Sequence, residues 1–136
     1  AGALSGFLNP SDMKGQVGMA MGDAGGFSAS DMWGPDSDPA WQRNDPFLNI
    51  NRMHGMKIFT GSGNGLFGRY NALPNVFDDL FKGSTLEFLA LTQRKAFEAA
   101  AALQGVPVMT YDAVGTHAWG YWQDMVWNAY QRGFFR

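Results

Sequence analysis

Cysteine is absent from the 136 residues, which removes disulfides, thiolate nucleophiles and cysteine-ligated zinc or iron–sulfur sites together. That absence leaves the compartment open. Charge is scarce and mixed: 16% of residues are charged and the formal net charge is −2. The Lys and Arg residues are scattered from Lys14 to Arg136, so no basic stripe exists to release counterions from a phosphate backbone. This argues against nucleic acid as a partner. Long apolar runs are missing too, because Gly, Pro or a charge interrupts every stretch before the roughly 18 residues that a bilayer span requires. Histidine is rare, with two in the chain.

What is present suits a folded domain or part of one, with 46% hydrophobic and 15% aromatic residues in a length that can bury an ordinary core. The chain opens Ala1-Gly2-Ala3-Leu4-Ser5-Gly6, with neither an initiator Met nor a charged n-region before an apolar stretch. The opening reads as cut, and the expectation is a portion of a domain.

Gly and Pro clusters punctuate the first two-thirds of the sequence. Asn9-Pro10-Ser11-Asp12 reads as a turn into a short helix, capped by Ser11 or Asp12 and ended by Gly22 and Gly25-Gly26. Phe27 to Phe47 reads as an ordered loop with short helical turns. Met56 to Thr60 reads as a buried strand emptying into the Gly-rich loop Gly61 to Gly65. Ser84 to Gln104 is the clearest helix, with Ser84 and Glu87 in capping-box spacing, Leu86, Leu89, Ala90, Phe97, Ala100 and Leu103 on one face, and Gly105 closing it. Val106 to Tyr111 reads as a further strand with Pro107 near its start, and an aromatic helix runs from about Trp119 to Arg132. The alternation of strand and helix predicts an α/β layer of parallel strands with right-handed crossovers. Ala1 to Ser5 reads as the tail of another strand. Three short strands have two edges to protect, which again suggests part of a sheet.

Few residues can do chemistry. His54 lies in a turn before a strand and reads as a surface residue. His117, in Gly115-Thr116-His117-Ala118-Trp119, follows a strand and opens a helix, the place where ligands gather in open α/β sheets. Most Asp residues adjoin Pro, Gly or Ser, where turns and caps account for them. Asp36-Ser37-Asp38 lacks the Gly and distal Glu of a calcium loop, and no metal site is expected. Glu87 either caps its helix or orients His117, and the two roles compete. No serine sits in a G-x-S-x-G elbow. Gly61-x-Gly63-x-Gly65 has neither the spacing of a dinucleotide fingerprint nor a following P-loop Lys, so no cofactor is expected. Trp119, Tyr121, Trp122, Trp127 and Tyr130 read as core and rim of a docked helix, or else as a sugar-stacking or lipid-facing surface.

Longer stretches carry a resemblance. Ala20-Met21-Gly22-Asp23-Ala24-Gly25-Gly26, Ala29-x-Asp31-Met32-Trp33-Gly34-Pro35 and Ser37-Asp38-Pro39-Ala40-Trp41-x-Arg43-Asn44-Asp45-Pro46 resemble the signature of the antigen 85 and corynebacterial mycolyltransferases. The likeness continues through Gly63-Asn64-Gly65 and Gly115-Thr116-His117-x-Trp119. It implies that residues 1–136 are the C-terminal portion of a single α/β-hydrolase domain, with parallel strands, helices on both faces, and an N-terminal half that carries the nucleophilic Ser on its elbow, the oxyanion-hole amides and part of the sugar site. By the same resemblance Glu87 falls on the triad glutamate and His117 on the triad histidine, and Trp119 flanks the sugar site. Ala118 and the loop from Leu66 to Phe81 depart from the family pattern.

The implied activity is transfer of a mycoloyl or corynomycoloyl group between trehalose glycolipids or to cell-wall acceptors, through a Ser-Glu-His triad and with a secreted or cell-envelope location. The implied partners are the N-terminal half and a trehalose mycolate or corynomycolate. Two other readings stay open: a carboxylesterase of the same fold, and a non-catalytic relative that binds or adheres. Presence of both Glu87 and His117 speaks against the last.

Overall fold

The computed structural model describes residues 1–71 and 82–136. The elements run β1 (Gly2–Leu4), α1 (Lys14–Gly25), two short helices α2 (Ser30–Trp33) and α3 (Ala40–Arg43), a 3-10 turn (Ile50–Met53), β2 (Ile58–Ser62), α4 (Ser84–Leu103), β3 (Val108–Asp112) and α5 (Trp119–Gln131). The three strands form one sheet in the order β1-β2-β3, parallel throughout. Ala1 to Ser5 does supply a strand, which pairs Gly2, Ala3 and Leu4 with Phe59, Thr60 and Gly61.

The core explains why β2 is buried along its whole length. Successive side chains point to opposite faces. Ile58 joins Leu8, Ile50, Phe97, Ala101 and Val106 on one face, whereas Phe59 joins Tyr121, Met125 and Ala129 on the other. Helices α4 and α5 therefore cover opposite sides of the sheet, as a parallel strand buried on both faces requires.

Several local expectations shift. Strand β2 begins at Ile58 and continues through Gly61 and Ser62, which pair with Tyr111 and Asp112. Gly61 belongs inside the strand because α5 packs on it: a Cβ there would lie 3.2 Å from the sulfur of Met125. Strand β3 begins at Val108 rather than Val106. The amide of Val106 instead bonds the carbonyl of Ala101 at 2.9 Å, with Gly105 at φ +69°. This is the six-to-one closure of a helix C-terminus.

Neither Ser11 nor Asp12 caps α1. The Ser11 hydroxyl donates to the Trp41 carbonyl at 3.0 Å, and the Asp12 carboxylate accepts from Asn9. The helix runs through Gly22 and stops at Gly26, whose φ of +70° provides a left-handed cap. On α4, Leu103 is 90% exposed, and the buried stripe is Glu87, Ala90, Gln93, Arg94, Phe97 and Ala101. Half of that stripe is polar, which apolar periodicity does not detect.

Arg94, 2% exposed, meets the Tyr111 carbonyl at 2.8 Å and the carboxylates of Glu98 and Asp112 through its two terminal nitrogens, while its Nε has no partner among the described residues. A buried guanidinium needs such partners. Lys95 also bonds Asp112. Its hydrogen bond, followed by that from Arg94, holds the Asp112 carboxyl below the ordinary carboxylate range against the opposing desolvation.

Helix α5 buries only Tyr121, Met125 and Ala129, a stripe of period four. Trp119, Trp127 and Tyr130 stand exposed, so the aromatic residues of this helix lie largely outside the core. Residues 72–81 of the divergent loop fall outside the described residues. Among those described, no helix is long and apolar enough to cross a membrane.

Candidate active site

The carboxyl ends of the three strands converge on one carboxylate. Glu87 lies in the first turn of α4 and is 0% exposed. Its Oε2 is 2.9 Å from Nδ1 of His117. Its Oε1 accepts the Ser5 hydroxyl at 2.6 Å, from the end of β1, and the backbone N–H of Gly63, from the loop that follows β2. Three hydrogen-bonding partners from three segments thus surround one buried carboxyl group, whose oxygens would be costly to bury without them.

The capping-box expectation gives way here. Ser84 is already helical, Gly83 holds the cap position without a side-chain bond, and the Glu87 carboxylate is directed at the imidazole. Gly83 serves the site differently, accepting the His117 N–H on its carbonyl at 3.1 Å. The loop behind His117 is held by buried Thr116, whose hydroxyl accepts from Asn71 Nδ2 at 2.7 Å.

His117 is partly open to solvent, and its ring meets Trp122 edge to face with centroids 4.8 Å apart. Trp122 in turn donates its indole N–H to Ser5 Oγ at 3.1 Å and packs against Trp119, centroids 4.9 Å apart. Trp119 itself is 76% exposed. Leu4, Ser5, His117, Trp119, Trp122 and Trp127 line an open, mainly apolar cleft of about 530 Å³. With Nδ1 engaged by Glu87, the imidazole has no hydrogen-bond partner on Nε2 among the described residues, the arrangement a general base needs.

His117 and Trp119, singled out from sequence, therefore line one cleft, and Glu87 joins them through its contact with the His117 imidazole. His54 lies exposed just past the 3-10 turn, away from it. Asp38 accepts the Ala40 N–H at 2.8 Å, and this local turn accounts for it. Trp122 is grouped in the sequence reading only with the aromatic residues of its helix, and two participants escape that reading: Ser5 and Gly63. Their only sequence signal is position, since Ser5 and Gly63 directly follow strands, as His117 follows β3 closely.

Gly63 must be glycine. A Cβ there would lie 2.3 Å from the carbonyl oxygen of Gly115 and 3.2 Å from Glu87 Cγ. The strand ends carrying Glu87's donor and the His117 loop can approach only without that atom. Gly63→Ala is expected to cost about 3 kcal/mol of stability through forced backbone displacement, measured by denaturant unfolding. A midpoint equal to that of the parent would contradict the close approach.

A parallel sheet covered on both faces, with a buried acid paired to a histidine where its strands end, defines the α/β-hydrolase class of protein. The chain belongs to the esterase family: the family model described as "Putative esterase" matches residues 1–131. The diacylglycerol acyltransferase/mycolyltransferase Ag85A of Mycobacterium tuberculosis is 40% identical over 129 residues, covering 90% of this chain and 36% of that protein. Ag85C of Mycobacterium leprae, of the same description, is 38% identical over 133 residues, covering 93% of this chain and 38% of that protein. The crystal structure of Mycobacterium tuberculosis MPT51 (FbpC1) superposes with a TM-score of 0.73 at 20% identity, over 98% of this chain and 49% of that one. The antigen 85 resemblance therefore stands. The chain spans less than half the length of each of these proteins.

Proposed function

We propose that this chain is the C-terminal part of a single α/β-hydrolase domain and supplies the acid and the base of a serine acyl-transfer triad. Glu87 fixes the imidazole with its proton on Nδ1, and His117 acts first as general base and then as general acid. The observation that carries this reading is the 2.9 Å contact between buried Glu87 and His117, the latter lining the cleft. The names of the similar proteins, acyltransferases and mycolyltransferases, supply the reaction class.

The nucleophilic serine comes from an N-terminal half of the same domain. Two observations support this. The similar curated proteins are more than twice as long as the matched region, and among the described residues β1 is an edge strand beside the cleft. A further parallel strand paired to β1 would end next to Leu4 and Ser5, within reach of His117, where an elbow serine is required. The isolated chain is accordingly inactive.

The serine takes an acyl group from a glycolipid ester, its proton passing to His117 Nε2. The acyl-enzyme forms as the sugar oxygen leaves with that proton. A second sugar hydroxyl then attacks, and His117 removes its proton and returns it to the departing serine. The acyl group is a mycolate or corynomycolate and the carrier is trehalose, with Trp119 offering its exposed face to the sugar. Such substrates place the enzyme outside the cell, secreted or in the envelope.

Product analysis tests the proposal. The protein carrying both halves, given a trehalose mono-ester with and without added trehalose, is expected to form acylated trehalose products in an acceptor-dependent manner. Release of free acid alone, at a rate indifferent to trehalose, would make it a carboxylesterase, and absence of turnover would leave a binding protein.

A further inference from the structure

Among the described residues Ser5 is the only non-glycine with positive φ, at +50°. Glycine is the residue that adopts this conformation without penalty, and a side chain held there at a site marks a functional demand. The side chain is buried and fully engaged: its hydroxyl receives the Trp122 indole N–H at 3.1 Å and donates to Glu87 Oε1 at 2.6 Å.

The direction of that chain is set by chemistry. An indole N–H can only donate, so it occupies a lone pair of Ser5 Oγ and turns the hydroxyl proton away, towards the carboxylate. Oε1 then holds two donors, Ser5 and the Gly63 amide, and this stops the carboxylate from rotating and leaves Oε2 for the imidazole. The same Trp122 ring packs edge to face against His117, and so fixes the plane of the partner as well.

We propose that Ser5, oriented by Trp122, is a positioning residue for the Glu87–His117 pair. The relay runs indole to hydroxyl to carboxylate to imidazole and draws one group from each of β1's end, α4, α5 and the His117 loop. It rests on the acyl-transfer reading given above. Ser5 takes no part in covalent chemistry; its hydroxyl holds the acid in the rotamer in which the base works.

The decisive variant is Ser5→Gly in the protein carrying both halves, because glycine relieves the backbone while deleting the hydroxyl. Three readouts apply: steady-state turnover of p-nitrophenyl butyrate, the melting temperature, and the downfield proton resonance of His117 Nδ1–H in protein with ¹⁵N-labelled histidine. The expected result is a melting temperature within a few degrees of the parent's, since relief of the positive φ offsets part of the two lost hydrogen bonds, a kcat lower by about 10- to 100-fold with KM within about twofold, and a broadened or lost resonance. A purely structural Ser5 predicts the opposite pairing, full turnover in a relaxed backbone. Parental kcat with an intact resonance overturns the proposal.

Should Ser5→Gly fail to fold, Trp122→Phe carries the same test, with loss of the resonance expected and its persistence at parental kcat overturning the relay. The His117→Ala control separates the two levels: parental turnover in that variant sinks the acyl-transfer reading, whereas the resonance reports on Ser5 independently of turnover.

Discussion

Glu87→Gln, in the protein carrying both halves of the domain, is expected to lower kcat by about 10³- to 10⁴-fold, the loss that follows when a triad acid is replaced by its amide. The reason lies in who donates to whom. The Ser5 hydroxyl and the Gly63 amide both point at Oε1, so a glutamine must keep its carbonyl oxygen there. Its NH₂ then faces His117 Nδ1, which has to accept rather than donate. The imidazole proton moves to Nε2, and the nitrogen that should take the serine proton is already occupied. Volume and donor satisfaction are conserved, so the melting temperature is expected to stay within a few degrees. Steady-state kinetics with an ester substrate checks the first part and calorimetry the second. Parental kcat in this variant would remove Glu87 from the mechanism.

His117→Ala is expected to cost about 10³-fold or more in kcat while the fold persists. The bond that anchors this loop is the backbone N–H of His117 on the Gly83 carbonyl, which alanine retains. The lost ring leaves its space open to the cleft of about 530 Å³. Added imidazole is therefore expected to restore part of the rate in His117→Ala and none in Glu87→Gln, where the native ring still blocks the position. Rates measured across an imidazole series separate the two variants. Equal rescue of both would mean that the ring and the carboxylate do not act as the pair described.

The stretch of sequence that carried the resemblance most densely is structural rather than chemical. Trp41 is buried and gives its indole N–H to the Gly34 carbonyl at 3.1 Å. Buried Asp45 accepts the amides of Ser11 and Phe47 at 2.8 Å each. These residues stitch the loop-rich segment between α1 and β2 against the start of the chain. None of these residues lines the cleft.

The aromatic residues of α5 show a different limit. A helical pattern of Trp and Tyr reads equally as core and as surface, because both environments reward large rings. The sheet has room only for Tyr121, Met125 and Ala129. Trp119, Trp122 and Trp127 are left to build the wall of the cleft, which turns part of the unusual aromatic content into a site feature.

Sequence alone determined the local features of this protein: the order of strands and helices, the parallel α/β layer, the Gly105 stop and the placement of His117 at a strand end. Those follow from residue periodicity and from turn chemistry, which act over a few positions. The partner of Glu87 is a different kind of fact. A glutamate three residues after a serine at a helix start has two good local uses, and neighbouring residues cannot choose between them. The choice is made by groups 30, 24 and 82 positions away, at His117, Gly63 and Ser5. Those groups come together only when parallel strands place their carboxyl ends side by side. Once burial removes water from Glu87, every lone pair directed inward has to be met by a protein donor, and only the tertiary structure decides which donors are there.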